Sequence, residues 1–258
     1  MAIDYQLFAM FLAQNRLALK TTNTMIGCIK QYKGGDTPEE ATKWFYDFMN
    51  RNYSSSYKHN MYYAIKWYLR FLGHEWDFKK PKIHQKVRLN ISLEKCWILV
   101  DSFEDPTWKL LLKTAILTGL RPQELLNLKV ADIDFMDETI MITETKTYKD
   151  RIIPIGKELS LELRRYIYEN EASGKIFNIA LRTFENVLCK KSKDLGFHVT
   201  PYMLRHTFAT QYVENGGNLL MLKSILGHSN IKTTEGYVHE SKTMLRKDYE
   251  RAKPRLFV

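Results

Sequence analysis

Residues 132–155, DIDFMDETIMITETKTYKDRIIPI, alternate apolar and polar positions and are rich in β-branched side chains, in a chain otherwise dominated by helical spacing. The alternation predicts a short antiparallel sheet whose last two strands flank a turn around Lys146 to Asp150. On its N-terminal side, SLEKCWILVDSF (92–103) and PTWKLLLKTAILTG (106–119) carry helical periodicity, the second ending at Gly119. On its C-terminal side the helical pattern resumes in KELSLELRRYIYENE (157–171). It continues through RTFENVLCKKSKDLG (182–196), YMLRHTFATQYVENGG (202–217) and LLMLKSILGHS (219–229) to the C-terminus. The expected fold class is mainly α with a small antiparallel sheet, an α+β arrangement.

Further out, residues 1 to 73 repeat apolar and aromatic side chains at helical spacing, as in DYQLFAMFLAQN (4–15), PEEATKWFYDFMNRN (38–52) and SYKHNMYYAIKWYLRFLG (56–73). A break falls at KGGDTP (33–38), where Gly34 and Gly35 stop one helix and Asp36 or Thr37 caps the next ahead of Pro38. All five tryptophans, Trp44, Trp67, Trp76, Trp97 and Trp108, lie in the first 108 residues and fit a compact helical module that fills a small core with large aromatics. The stretch HEWDFKKPKIHQKVRLN (74–90) then loses periodicity and gathers Lys79, Lys80, Lys82, Lys86 and Arg88 around Pro81, the mark of an exposed basic linker. These signals divide the chain into a helical domain at 1–75, a linker at 76–91 and a second domain at 92–258.

A chain of 258 residues accommodates two modest domains, and 45% hydrophobic against 26% charged residues is the balance of a folded protein. No stretch approaches the roughly 18 to 20 apolar residues that a membrane span needs. The start, MAIDYQLFAMFLAQNR, lacks the basic n-region and cleavage site of a signal peptide, so a cytoplasmic location is expected. Cys28, Cys96 and Cys189 lie far apart without the paired spacing of zinc or redox sites and read as buried or incidental thiols. A net charge of +10 and a pI near 9.3 draw the chain to polyanions, and nucleic acid is the first partner to consider.

Three short strings carry the chemistry. In TGLRPQELLNL (118–128), Arg121 stands where one helix ends and another begins, with Pro122 at the first helical position and Glu124 in its first turn. A cation at a helix N-terminus requires an anion nearby, either a Glu124 carboxylate or a bound phosphate. In TPYMLRHTFAT (200–210), Thr200 caps a helix whose opening holds Tyr202, Arg205 and His206, with Tyr202 and Arg205 three apart on one face. In LLMLKSILGHSNIKTTEGYVH (219–239), Gly227 follows an apolar helix and is succeeded at once by His228, a polar turn and Tyr237.

Taken together and in order, with Lys146 in TKTYKDRIIPI (145–155) between the first and second, these strings make residues 114 to 239 resemble the tyrosine recombinase superfamily, which includes phage integrases and Xer-like chromosome-dimer resolvases. The resemblance implies Arg121 and Arg205 as the two catalytic arginines, Lys146 as the strand-turn lysine, His228 as a further basic position and Tyr237 as the nucleophile. The family pattern has a histidine where this chain has Tyr202, a departure similar to a subset of integrases from archaeal viruses and plasmids. A phenol donates a hydrogen bond to a phosphate oxygen, but with a reference pKa near 10 it is a poor base at neutral pH.

The fold implied is a helical core-binding (SAM-like) domain followed by a recombinase catalytic domain, and the reaction implied is site-specific cutting and rejoining of DNA through a 3′-phosphotyrosyl link. That link conserves bond energy, so no cofactor is expected. Arg121 and Arg205 would clamp the phosphate while Lys146 protonates the leaving 5′ oxygen, a role for which Lys149 remains an alternative. Carboxylates suited to holding magnesium do not cluster with these basic residues, so no metal is expected. Double-stranded DNA is the expected partner, contacted by Lys79, Lys80, Lys82, Lys86, Arg88, Lys149 and Arg151. Relatives suggest a free monomer that becomes a tetramer on paired sites, with the tail HESKTMLRKDYERAKPRLFV (239–258) exchanged between subunits. Two other readings are a type IB topoisomerase-like enzyme and a non-catalytic DNA-binding regulator in which ILGHSNIKTTEGY (225–237) serves as a helix-turn-helix.

Overall fold

A computed structural model describes residues 3–80, 91–143 and 150–227. The chain forms two compact units, Met1–Val87 and Arg88–Val258. Lys82, Lys86, Arg88, Lys146, Lys149, His228, Tyr237 and the tail lie outside the described residues.

The described residues of the first unit form four helices, α1 (Tyr5–Gln14), α2 (Leu19–Gln31), α3 (Pro38–Met49) and α4 (Ser55–Phe71). Local chemistry sets their starts. Thr37 accepts the Glu40 N–H while the Glu40 carboxylate accepts the Thr37 N–H, a reciprocal cap that satisfies two orphan donors just ahead of Pro38. Ser54 caps α4 through the Tyr57 N–H. The helices bury Phe8, Leu12, Ile29, Phe45, Met61, Ile65 and Leu69 in one aromatic-rich core.

This core extends past the last helix. Trp76 and Phe78, in the stretch read from sequence as linker, pack edge-on against Phe45 at 5.5 and 5.2 Å between ring centroids. The Trp76 indole donates to Thr42 Oγ1 at 2.9 Å and the Tyr62 hydroxyl donates to the Phe78 carbonyl at 3.0 Å. Of the five tryptophans, Trp97 and Trp108 belong to the core of the second unit, which corrects their assignment to one aromatic module.

Among its described residues, the second unit is helical apart from one sheet. Helices α5 (Leu93–Asp101), α6 (Pro106–Thr118) and α7 (Pro122–Asn127) precede strands β1 (Ile133–Asp134), β2 (Thr139–Ile142) and β3 (Arg151–Pro154). Helices α8 (Lys157–Glu169), α9 (Leu181–Asp194), α10 (Pro201–Glu214) and α11 (Leu219–Leu226) follow. The strands form an antiparallel sheet in the order β1-β2-β3, with Ile140 opposite Ile153 and Ile142 opposite Arg151. The alternating pattern around Lys146 is therefore a three-stranded sheet, as its period requires. Cys96 is fully buried, and that burial pushes its thiol up to about 11 against a smaller lowering by its Thr207 hydrogen bond, so it stays protonated at neutral pH.

Helix α6 ends at Gly119, whose φ of +62° lies in the left-handed region that favours glycine. The bend also brings the backbone against α10, because a Cβ on Gly119 would collide with the Phe208 ring. Gly119→Ala should therefore combine a left-handed penalty of about 1–2 kcal/mol with an overpacking cost of about 1–3 kcal/mol. In a Phe208→Ala background only the first cost should remain, and chemical denaturation of the four proteins in a double-mutant cycle measures the difference. Equal costs in both backgrounds would contradict the close approach.

Candidate active site

The elements of the second unit converge on the last turn of α11. The last carbonyls of a helix have no intrahelical donor and carry the negative end of its dipole. Here three successive ones each receive an arginine from a different part of the chain. Arg151 Nε donates to the Ile225 carbonyl at 2.9 Å, Arg205 Nη2 to Leu226 at 2.7 Å and Arg121 Nη2 to Gly227 at 2.8 Å.

Each arginine reaches this point for a local reason. Arg121 is the N-cap of α7, immediately before Pro122, and extends from the bend that follows Gly119. Its N–H donates to Glu124 Oε2 at 2.8 Å and its Nη1 to Glu124 Oε1 at 2.6 Å. The helix start that seemed wrong for a cation is thus neutralised by a carboxylate one turn on, while the other end of the guanidinium reaches α11. Arg205 comes from α10, whose start Thr200 caps by accepting the Met203 N–H. It is 4% exposed, and its Nη1 donates to the Gly119 carbonyl at 2.7 Å, so it joins the ends of α6 and α11. Two fixed nitrogens hold a planar guanidinium against rotation and set the direction of its other N–H groups.

Arg151 opens β3 and is 8% exposed. Its Nη2 meets Glu124 Oε2 at 2.6 Å. Sequence reading placed this residue among the DNA contacts; the structure turns it inward, against Glu124 and Ile225. A signal for this was present, since strand alternation puts Arg151 on the same side as Ile153 and Ile155, both buried, with Ile152 exposed between them.

Glu124 is the shared anion. Burial alone pushes its carboxyl up, but the hydrogen bond and charge of Arg151, with the Arg121 N–H and guanidinium added, outweigh burial and hold it below its ordinary value. Among the described residues, Arg121 and Arg151 share this one carboxylate and Arg205 lies beside them on the same helix end, a grouping of cations suited to an anion such as a phosphate.

Of the remaining candidates, Tyr202 lies one turn before Arg205 and is 54% exposed. Lys79 and Lys80 are exposed at the end of the described first unit, and the Lys80 ammonium stands 5.2 Å from the Tyr63 ring centroid. Gly227, the C-cap of α11 with φ +63°, directly precedes His228 in sequence, and Tyr237 follows nine residues later. Among the described residues, no three or more His, Cys, Asp or Glu group in a way that could hold a metal. No described helix is long and apolar enough to cross a membrane.

Comparison with known proteins gives one consistent result. The phage integrase family matches residues 99–244. The tyrosine recombinase XerA of Pyrococcus horikoshii is 29% identical over 230 residues, covering 84% of this chain and 81% of that protein. XerA of Thermococcus onnurineus is 31% identical over 237 residues, covering 85% of this chain and 84% of that protein. Among solved structures, the integrase of the Tn1549 transposon, in complex with transposon right end DNA, shares the fold with a TM-score of 0.75. It is 17% identical and covers 97% of this chain and 99% of its own.

The depressed Glu124 carboxyl has a definite pH signature. Its ion pairs contribute stability that is fully present above the unfolded carboxylate value near 4.3 and is lost as pH falls through the lower folded value. Glu124→Gln should therefore destabilise the protein at pH 7 by about 2–4 kcal/mol, because it strands buried guanidinium charge. The gap between variant and wild type should narrow in acid, where the wild-type carboxyl takes up a proton. Denaturation at fixed ionic strength across pH reads this directly, and a gap independent of pH would contradict it.

Proposed function

The chain belongs to the phage integrase family, and on that premise we propose that it is a site-specific DNA recombinase that cuts and rejoins duplex DNA through Tyr237. The observation that carries this reading is the convergence of Arg121 and Arg205, from two separate motifs, on the helix end that leads into GHSNIKTTEGY (227–237).

Attack of the Tyr237 oxygen on the scissile phosphorus forms the P–O(Tyr) bond and breaks the P–O5′ bond, with the phenol proton released to solvent. Charge builds on the non-bridging oxygens, and a diester already carrying one negative charge resists an incoming phenolate unless fixed cations surround it. Arg121 and Arg205 supply that charge without changing protonation state, and their bonds to Gly119, Leu226 and Gly227 hold them in place before DNA arrives. His228 donates to a non-bridging oxygen. Lys146, in the segment between β2 and β3, protonates the departing 5′ oxygen. Tyr202, an exposed residue one turn before Arg205, donates a hydrogen bond from its hydroxyl to the phosphate.

Double-stranded DNA is the substrate. Residues 1–75 act as the core-binding domain and the basic residues of 76–91 lie along the phosphate backbone, with affinity falling steeply as salt rises. The free protein is a monomer, four copies assemble on a pair of sites, and the C-terminal tail of each docks on a neighbour.

Strand exchange is tested with plasmids carrying two copies of a site selected from a random duplex library. Wild-type protein should give recombinant products, and Tyr237→Phe should give none while still binding. Relaxed plasmid without recombinants would assign a topoisomerase-like activity instead, and a fully functional Tyr237→Phe protein would assign a DNA-binding regulator. The acid role is separable: Lys146→Ala should slow cleavage about 10²–10⁴-fold, and a 5′-bridging sulfur, which departs as a thiolate without a proton, should restore most of the loss. Rescue of Lys149→Ala in place of Lys146→Ala would transfer the role to Lys149.

A further inference from the structure

We infer that Arg151 is a positioning residue for strand cleavage, one that ties the first residue of β3 to the end of α11, the two elements that adjoin in sequence the stretches carrying Lys146 and Tyr237. The inference rests on the catalytic reading of Arg121, Lys146 and Tyr237 given above.

The bonds form a closed circuit. From the Ile225 carbonyl it passes through Arg151 to one oxygen of Glu124, from the other oxygen to Arg121, and from Arg121 back to the Gly227 carbonyl. It begins and ends on carbonyls two residues apart, so the last turn of α11 is gripped from two directions by groups that also grip each other. Packing reinforces the bonds, since a Cβ on Gly227 would lie 3.1 Å from Arg151 Cδ and Nη1. At its other end Arg151 is paired with Ile142 across the sheet, and the segment between those two partners carries Lys146. One side chain therefore links the strand from which the Lys146 segment departs to the helix from which the chain runs into His228 and Tyr237.

Only arginine fits this position. The bonds to Ile225 and Glu124 use Nε and Nη2, two donors held at a fixed angle by the guanidinium plane. A lysine would keep the charge opposite Glu124 but offers a single ammonium on a flexible stem and cannot serve both acceptors in this geometry. With an exposure of 8%, the side chain acts by orienting other groups.

The test uses the full chain, a nicked suicide duplex selected by wild-type adduct formation, and the variants Arg151→Lys and Arg151→Met. Adduct formation at saturating duplex should slow by about 10–100-fold in both. Duplex affinity, measured with Tyr237→Phe added to block cleavage, should change less than two-fold, with the same salt dependence. Hydrogen exchange of the amides in residues 219–227 should quicken in the DNA-free variants. The lysine variant retains the charge against Glu124 and carries the test if the methionine variant is too unstable. Weaker binding with a shallower salt dependence and an unchanged saturating rate would make Arg151 a phosphate contact and overturn the inference. Unchanged exchange in 219–227 would overturn it whether or not any duplex is cleaved, whereas a wild-type protein that never forms an adduct would contradict the recombinase reading instead.

Discussion

The last turn of α11 presents three carbonyls that no helix can satisfy by itself, and the second unit is organised around supplying them with arginines. Each donor comes from a different layer: the bend after α6, the first residue of β3 and the buried face of α10. Because a buried unpaired carbonyl or guanidinium is costly, the elements hold one another in place through this junction. Its central anion, Glu124, lets two of the cations lie close together, and its low carboxyl pKa records that role.

The same arrangement fixes the direction of the three guanidinia. Guanidinia oriented by backbone carbonyls need no rearrangement when an anion arrives, so their electrostatic effect is available at the moment of reaction. Gly119 and Gly227 matter for the same reason, because both end helices in the left-handed conformation and both offer their carbonyls to arginines of the junction, Arg205 and Arg121. The site is built from helix ends, and the glycines determine where those ends turn.

Much of this was legible in the sequence. The helix spacing, the change of period over 132–155 and the cap at Thr200 depend on local chemistry and read directly, while Thr37 was one of two candidate caps beside Asp36. Arg121 and Arg205 stood out because each lies in a dense motif at a helix start. Arg151 did not, since its direction depends on strand register, and its alternation with Ile153 and Ile155 was outweighed by the basic residues that precede it. Trp76 and Phe78 were taken for linker because a segment without helical period gives no local sign that its aromatics return to the core. The bond from Arg121 to Gly227 spans more than a hundred residues, and nothing near either residue announces it.

The central claim is that this cationic junction serves a covalent attack by one particular tyrosine. The most direct measurement is to incubate the protein with nicked suicide duplexes from a random library, denature the mixture, and map any protein–DNA adduct by peptide mass spectrometry. The account predicts a denaturant-resistant adduct carried by the peptide containing Tyr237, formed at a rate that collapses when Arg205 is replaced by Ala. An adduct on any other residue, or no adduct with any duplex in the library, would contradict it.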